Sequence, residues 1–201
     1  SSFIFSIIDD ITVPVSNGIA IFSNIPIYEG PLLSQTFIYD TRDYNQRFIL
    51  PNSGVDTDLM SVFVKDSVTS TASTRYSRQD NLFGADKYAK TYFLQEIEDE
   101  RYEILFGDGI FGQKLNEGNH ITVNYIRSNG DSANGINRFT FNGRITYQRN
   151  AVEYNVLEGI SLLTTGVSSS GGENIESVES IKKFAPRTFA TQNRAVTSSD
   201  Y

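Results

Sequence analysis

The sequence predicts an α+β fold, a predominantly antiparallel β body followed by a short helical segment, in what reads as a fragment of a larger chain. Three observations predict it. Tyr, Phe, Ile, Val and Thr fill many of the apolar runs, with 14 Phe and 11 Tyr and no Trp, and these residues favour strands. Two runs alternate with period two, Leu59 to Lys65 and Ile121 to Ile126, which is the mark of a half-buried strand. After Ser168-Ser169-Ser170-Gly171-Gly172 the apolar spacing changes to that of a helix. These readings divide the chain into a β-rich body over 1–165, which breaks near 66–90 if it forms two β subdomains, a Gly/Ser linker over 166–172, and a helical region over 173–201 that continues beyond.

Taken in order, Ser1 to Ile8 is apolar but has no basic start and runs into Asp9-Asp10, so it reads as a strand and not as a signal peptide. Ile11 to Val15 and Gly18 to Phe22 flank Asn17-Gly18, a strong hairpin signal, and Pro14 places the first arm at an edge. Ile25 to Pro31 is extended and ends in a turn. Phe37 to Tyr39, Arg47 to Leu50 and Leu59 to Lys65 are strands, the last with Met60, Val62 and Val64 on one face. Ser67 to Thr74 is a loop, and Asp80 to Ala89 holds one short helix. Tyr92 to Ile97 and Tyr102 to Phe106 flank the charged hairpin tip Glu98 to Arg101. Ser128 to Asn137 is a Gly/Asn/Ser loop, and Phe139 to Gln148 and Tyr154 to Thr164 return to the sheet. In the last region Glu173, Glu176 and Glu179 precede Lys182 and Lys183, an order that complements a helix dipole. Ile175, Val178, Ile181 and Phe184 form its apolar stripe, and Pro186 stops it. Thr197 to Asp200 reads as the cap of a second helix, and its interruption at Tyr201 is what predicts a longer parent chain.

Composition excludes several classes of function. The net charge is −7, and the basic residues are scattered, with only Lys182 and Lys183 adjacent. A phosphate-binding surface needs clustered Lys and Arg, so no nucleic-acid partner is expected. No apolar run is long enough to span a bilayer, so no membrane partner is expected either. The absence of cysteine removes disulfides and thiolate–zinc sites.

Gly107-Asp108-Gly109-Ile110-Phe111-Gly112 matches the G-x-G-x-x-G pattern of dinucleotide-binding folds. There the glycines bring a pyrophosphate to a helix N-terminus, but Gln113 to Gly118 is too short and too glycine- and asparagine-rich for that helix. The residues read as a turn between strands. His120 is the single histidine, precedes a strand, and has no serine or cysteine partner in a local motif. A Ser-His-Asp triad would need partners from elsewhere in the fold, and a structural role is the stronger reading. Asp9 with Asp10, Asp56 with Asp58, and Glu96 with Glu98 to Glu100 are acidic pairs of the kind glycosidases and calcium sites use, but their spacing reads as surface turns. Tyr39, Tyr44, Tyr76, Tyr88 and Tyr92 are candidates for a glycan-stacking surface, although a strand-rich core of this kind should bury most of them.

Two segments together resemble a known family. One runs from Tyr102 through Phe106-Gly107-Asp108-Gly109 and on to Tyr125. The other is Ala185-Pro186-Arg187 leading to Thr191-Gln192-Asn193-Arg194-Ala195-Val196-Thr197 and Asp200-Tyr201. A strand into Phe-Gly-Asp-Gly, a second glycine turn, a strand ending in Tyr and a distal Thr-Gln-Asn-Arg-Ala-Val-Thr is similar to the pattern of baseplate J-like proteins, wedge components of contractile phage tails and related injection machines. The front segments Ile27 to Pro31 and Val55 to Leu59 look like the T4-type wedge proteins in particular. The resemblance implies a non-catalytic structural subunit, without cofactor or small-molecule substrate. It would sit in the virion tail baseplate after assembly in the host cytoplasm, pairing as a homodimer and joining other wedge subunits in a ring. It singles out Phe106, Gly107, Asp108, Gly109, Gly112, Gly118, Thr191, Gln192, Asn193 and Arg194 as the structural motif. Asp108 is expected to bond turn amides, and Gln192 to Arg194 to hold an inter-helix connection. A glycan- or receptor-binding tail module is the alternative, requiring an exposed aromatic groove. A tail hydrolase comes third and requires two carboxylates converging in a cleft.

Overall fold

The computed structural model describes residues 2–80, 86–164, 166, 168–174, 182 and 185. Among them the fold is nearly all β. The strands are β1 (Phe5–Ser6), β2 (Val15–Ser16), β3 (Ile19–Ala20), β4 (Tyr28–Glu29), β5 (Leu32–Ile38), β6 (Phe48–Ile49), β7 (Val55–Lys65), β8 (Thr74–Arg78), β9 (Thr91–Ile97), β10 (Arg101–Phe106), β11 (His120–Arg127), β12 (Thr146–Arg149) and β13 (Val152–Asn155), with 3₁₀ turns at Glu98–Glu100 and Gly130–Ala133. The chain divides into two compact units, Ser1–Asn129 and Gly130–Tyr201.

The first unit is built on a seven-stranded sheet in the order β5-β11-β7-β8-β9-β10-β6. Every neighbouring pair is antiparallel except β8 and β9, which run parallel through Ser77↔Thr91 and Arg78↔Tyr92. The alternation read in β7 and β11 sets the inside of this sheet. Met60, Val62 and Val64 are buried while Leu59, Ser61 and Phe63 are half-buried, and Ile121, Val123 and Tyr125 are buried between Thr122 and Asn124. A register shift between Asn124 and Ile126 buries Ile126 as well, because a bulge turns successive side chains to the same face. The sheet curls until it is nearly closed. Its two edge strands meet through side chains: Phe37 of β5 lies edge-on to Phe48 of β6 at 5.5 Å, Phe48 edge-on to Phe106 of β10 at 5.4 Å, and Phe106 edge-on to Tyr76 of β8 at 5.8 Å. Edge-to-face packing is the favoured arrangement for such rings.

In the same unit, β1 pairs with β4, and β2 pairs with β3 around Asn17-Gly18. The second unit contains the β12–β13 hairpin, with Tyr147 stacked on Tyr154 at 5.3 Å. It also contains a loop bonded to a later segment: Gly135 N donates to Ser169 O and Ser169 N to Ile136 O. Among its described residues only Ala133 is buried.

Four expectations are corrected. The α+β class gives way to a nearly all-β fold among the described residues, where the complete helical elements are two 3₁₀ turns of three and four residues. The predicted helix begins at Glu173, yet Glu173 and Asn174 are irregular, with Asn174 Oδ1 accepting from Asp131 N. The rest of that prediction falls outside the described residues, apart from Lys182 and Ala185, which are in helical conformation. The short helix read over Asp80 to Ala89 lies partly outside the described residues, and its described end is a turn at Lys87 and Tyr88. Tyr154 to Thr164 does not return to the main sheet; Val152–Asn155 pairs locally with Thr146–Arg149 and the following residues are irregular.

Candidate functional site

The glycine segment leaves the end of β10 and reaches β11 by a folded corner. Gly107 and Gly112 approach so closely that a Cβ on Gly107 would fall inside the Gly112 backbone. Gly112 itself has φ +88°, and a Cβ there would lie 2.8 Å from Thr91 Oγ1. Glycine is required at both positions for that reason. Asp108 Oδ1 accepts from the N–H of Ile110 at 2.8 Å and of Phe111 at 2.9 Å. Those two bonds, first that from Phe111, hold its carboxyl below the usual carboxylate range, since they favour the charged form. Gly109 N donates to Gly112 O, and the corner is pinned to the preceding loop by Gly112 N to Asp86 O and Gln113 N to Ala89 O. Ile110 and Phe111 project outward at the tip, 69% and 40% exposed. No helix follows; residues 113–119 are turn and bridge, and β11 begins at His120. A pyrophosphate cradle of the Rossmann type is therefore absent from this corner.

The far side of the corner grips the strap that joins the two edges of the sheet. Gly118 N donates to Tyr39 O, and Tyr39 N to Asn119 O. Buried Asn119 accepts from Asn116 N and donates to Lys65 O. Glu117 Oε2 accepts from Thr41 N and Thr41 Oγ1, both at 2.6 Å, and the Thr41 hydroxyl is the main reason its carboxyl sits low. Further along the strap, Arg42 forks onto Asp40 and pulls its carboxyl down to about 2. Gln46 accepts from Asp40 N and donates to Ile38 O. Arg47 then forms a two-pronged ion pair with the nearly buried Glu103 of β10, Nε to Oε1 at 2.9 Å and Nη2 to Oε2 at 2.5 Å. Thr41, Arg47, Glu103, Glu117 and Asn119 were invisible as a group in the sequence, because their partners lie tens of positions away.

The remaining candidates are dispersed. Thr191, Gln192, Asn193 and Arg194 lie outside the described residues. His120 opens β11 between Ile38 and Lys65, and its buried Nδ1 has no hydrogen-bond partner among the described residues. Asp9, Asp10 and Asp58, distant in sequence, come together with Arg75 along a cleft of about 310 Å³. Asp58 is 92% exposed there and 3.5 Å from Arg78. Among the described residues no three His, Asp or Glu side chains converge as a metal shell would require. Of the five tyrosines, Tyr76 and Tyr92 are in the core and Tyr39 packs against it; Tyr44 and Tyr88 are exposed, with Lys87 Nζ 4.8 Å from the Tyr88 ring centre.

The geometry thus defines a β module in which Asp40, Glu103, Asp108 and Glu117 bond groups of the fold itself. The chain is 25% identical over 195 residues, 90% of its length, to the protein named baseplate wedge protein gp6 of Enterobacteria phage T4, and spans 28% of that relative. No protein-family model matches the chain. The likeness supports a baseplate-related ancestry; the baseplate J-like resemblance rests on the two quoted segments.

Proposed function

We propose that this chain is an architectural part of a contractile phage tail baseplate wedge. The observation that carries this reading is the alignment, which runs along nine-tenths of the chain and not through one motif. The structure supports it in chemistry. The carboxylates with lowered pKa, Asp40, Glu103, Asp108 and Glu117, are all engaged with backbone amides, a hydroxyl or arginines of the fold itself. Large apolar side chains such as Ile4, Val15, Ile19 and Ile21 are left on the surface, where assembly surfaces are expected to be apolar. On this reading the chain works in the virion tail baseplate after assembly in the host cytoplasm, contacts its own copy and other wedge subunits, and carries out no reaction. Phe106 to Gly118 and Thr191 to Arg194 form its structural motif.

Co-expression with the other wedge subunits of the same phage tests this. The expected result is a stoichiometric complex by size-exclusion chromatography with light scattering. A chain that stays monomeric, joins no tail protein and binds glycans on an array would overturn it.

A further inference from the structure

We propose that the glycine corner at the end of β10 is a docking site for the acidic turn at the other end of the same strand in a second copy of the chain, so that copies join head to tail. The inference rests on the architectural reading above and names the surfaces of its self-contact.

The corner and the Asp86 to Lys90 loop are pinned side by side by Gly112 N to Asp86 O and Gln113 N to Ala89 O. Together they make one patch. Its apolar members are Ile110, Phe111 and Tyr88, the last 73% exposed. Its charge is positive. Three of the chain's six lysines are here, Lys87, Lys90 and Lys114, and all three are exposed. Lys87 Nζ lies 4.8 Å from the Tyr88 ring centre, and a Cβ on Gly109 would touch that of Lys114. Asp86 and Asp108 stand among them, each with a carboxylate oxygen bonded to backbone amides of its own turn. None of the three lysines is in an ion pair among the described residues. Apolar anchors with a charged rim are the layout of a protein interface.

The charge of the rim selects an acidic occupant, and the hairpin carries one at its opposite end. Glu96, Glu98, Asp99 and Glu100 are all exposed around the β9–β10 turn, with Arg101 3.5 Å from Asp99 as the counter-charge. Complementary charge of this kind fixes the register of a contact. A chain cannot dock its own turn in its own corner. β10 separates the two through Arg101–Phe106 and pairs with β9 along that whole length, roughly 20 Å of strand at about 3.3 Å per residue. The turn that reaches the corner therefore comes from another copy. Different patches meet on the two copies, so the contact is heterologous and repeats into a ring or an open row according to the rotation between neighbours. Exposed ion pairs are individually weak, so one such contact is weak in the isolated chain and draws on burial of Ile110 and Phe111.

The test uses the purified chain. Sedimentation equilibrium should show self-association that weakens by roughly tenfold as ionic strength rises to about 1 M, where the screening length is about 3 Å. As concentration rises, the NMR amide signals of Tyr88, Ile110 and Phe111 should shift together with those of Glu98 to Glu100. Reversing the turn (Glu98→Lys, Asp99→Lys, Glu100→Lys) should leave a monomer, and so should reversing the corner (Lys87→Glu, Lys90→Glu, Lys114→Glu). Mixing the two variants restores opposite charge at both ends and should restore association, which a folding defect would not. Should either variant misfold, the paired shifts of the native chain decide. The proposal is overturned if the native chain stays monomeric at millimolar concentration, if salt leaves its association unchanged, if only one end of the hairpin shifts, or if the folded variants stay apart when mixed. Corner signals that move only on adding another wedge subunit, with the turn unmoved, would give the corner to that subunit and overturn it too. Co-assembly with the other wedge subunits is read separately. Its failure would sink the architectural reading, whereas normal co-assembly of a chain that does not self-associate would remove only this contact.

Discussion

Gly107 has no room for a methyl group, because the Gly112 backbone occupies the place a Cβ would take. Gly107→Ala must push the two strands of the corner apart, and overpacking of this kind costs about 1–3 kcal/mol. The expected result is a lower urea midpoint with an unchanged slope. Asp108 acts on the same corner through charge. Its folded-state pKa lies below the usual carboxylate value because Phe111 and Ile110 N–H groups bond the ionised form. The contribution is therefore full above the ordinary aspartate value, about 3.9, and disappears as pH falls through the depressed one. The amide signals of Ile110 and Phe111 should titrate in that acidic window in the native chain and remain flat in Asp108→Asn. The role of Asp108 was legible in the sequence, since Asp before Gly in a turn bonds amides two and three residues on. The requirement at Gly107 was not, because it comes from a contact across the corner.

Among elements, β6 is the shortest strand of the main sheet. It pairs with β10 through two residues, Phe48 and Ile49, and its attachment is reinforced by Leu50 N to Tyr102 O and by the Arg47–Glu103 ion pair. Arg47 lowers the pKa of Glu103 chiefly through its side-chain hydrogen bonds. The sign follows: the ion pair stabilises fully above the ordinary glutamate range and is lost as pH falls below it toward the depressed value. Acidification from pH 6 to below the carboxylate range should lower the amide protection factors of Phe48 and Leu50, taken relative to intrinsic exchange at each pH, before those of Ile121 to Tyr125 of β11. Glu103→Gln should exchange fast there at both pH values. Equal exchange of β6 and β11 in all conditions would show that β6 is held by the aromatic row and not by the ion pair. Strand β7 was readable from its alternation and β6 from the run Arg47 to Leu50, but the pairing of β6 with β10 was not.

For the whole molecule, stability resides in the sheet interior of the first unit. Leu50, Val62, Ile104, Ile121 and Val123 are fully buried. Ile104→Ala should cost about 2–5 kcal/mol, as truncations of buried aliphatic residues do. Ile110→Ala, at the exposed tip of the corner, should change stability by no more than about 0.5 kcal/mol. Urea unfolding of the two variants measures both, and similar losses would mean that the corner tip packs against something in solution.

The sequence by itself determined the local pattern of this protein. The alternating faces of β7 and β11, the Asn17-Gly18 turn and the charged tip between β9 and β10 follow from side-chain period and turn chemistry, which involve residues a few positions apart. It also carried a resemblance to baseplate proteins, through short strings of residues. Tertiary structure decided the rest. It set β8 parallel to β9 and placed Asp9, Asp10 and Asp58 along one cleft. It also turned Glu117 and Glu103 into anchors for the strap between Thr41 and Arg47. Each of these depends on which distant backbone a residue meets, and loop closure over tens of residues leaves no periodic trace along the chain.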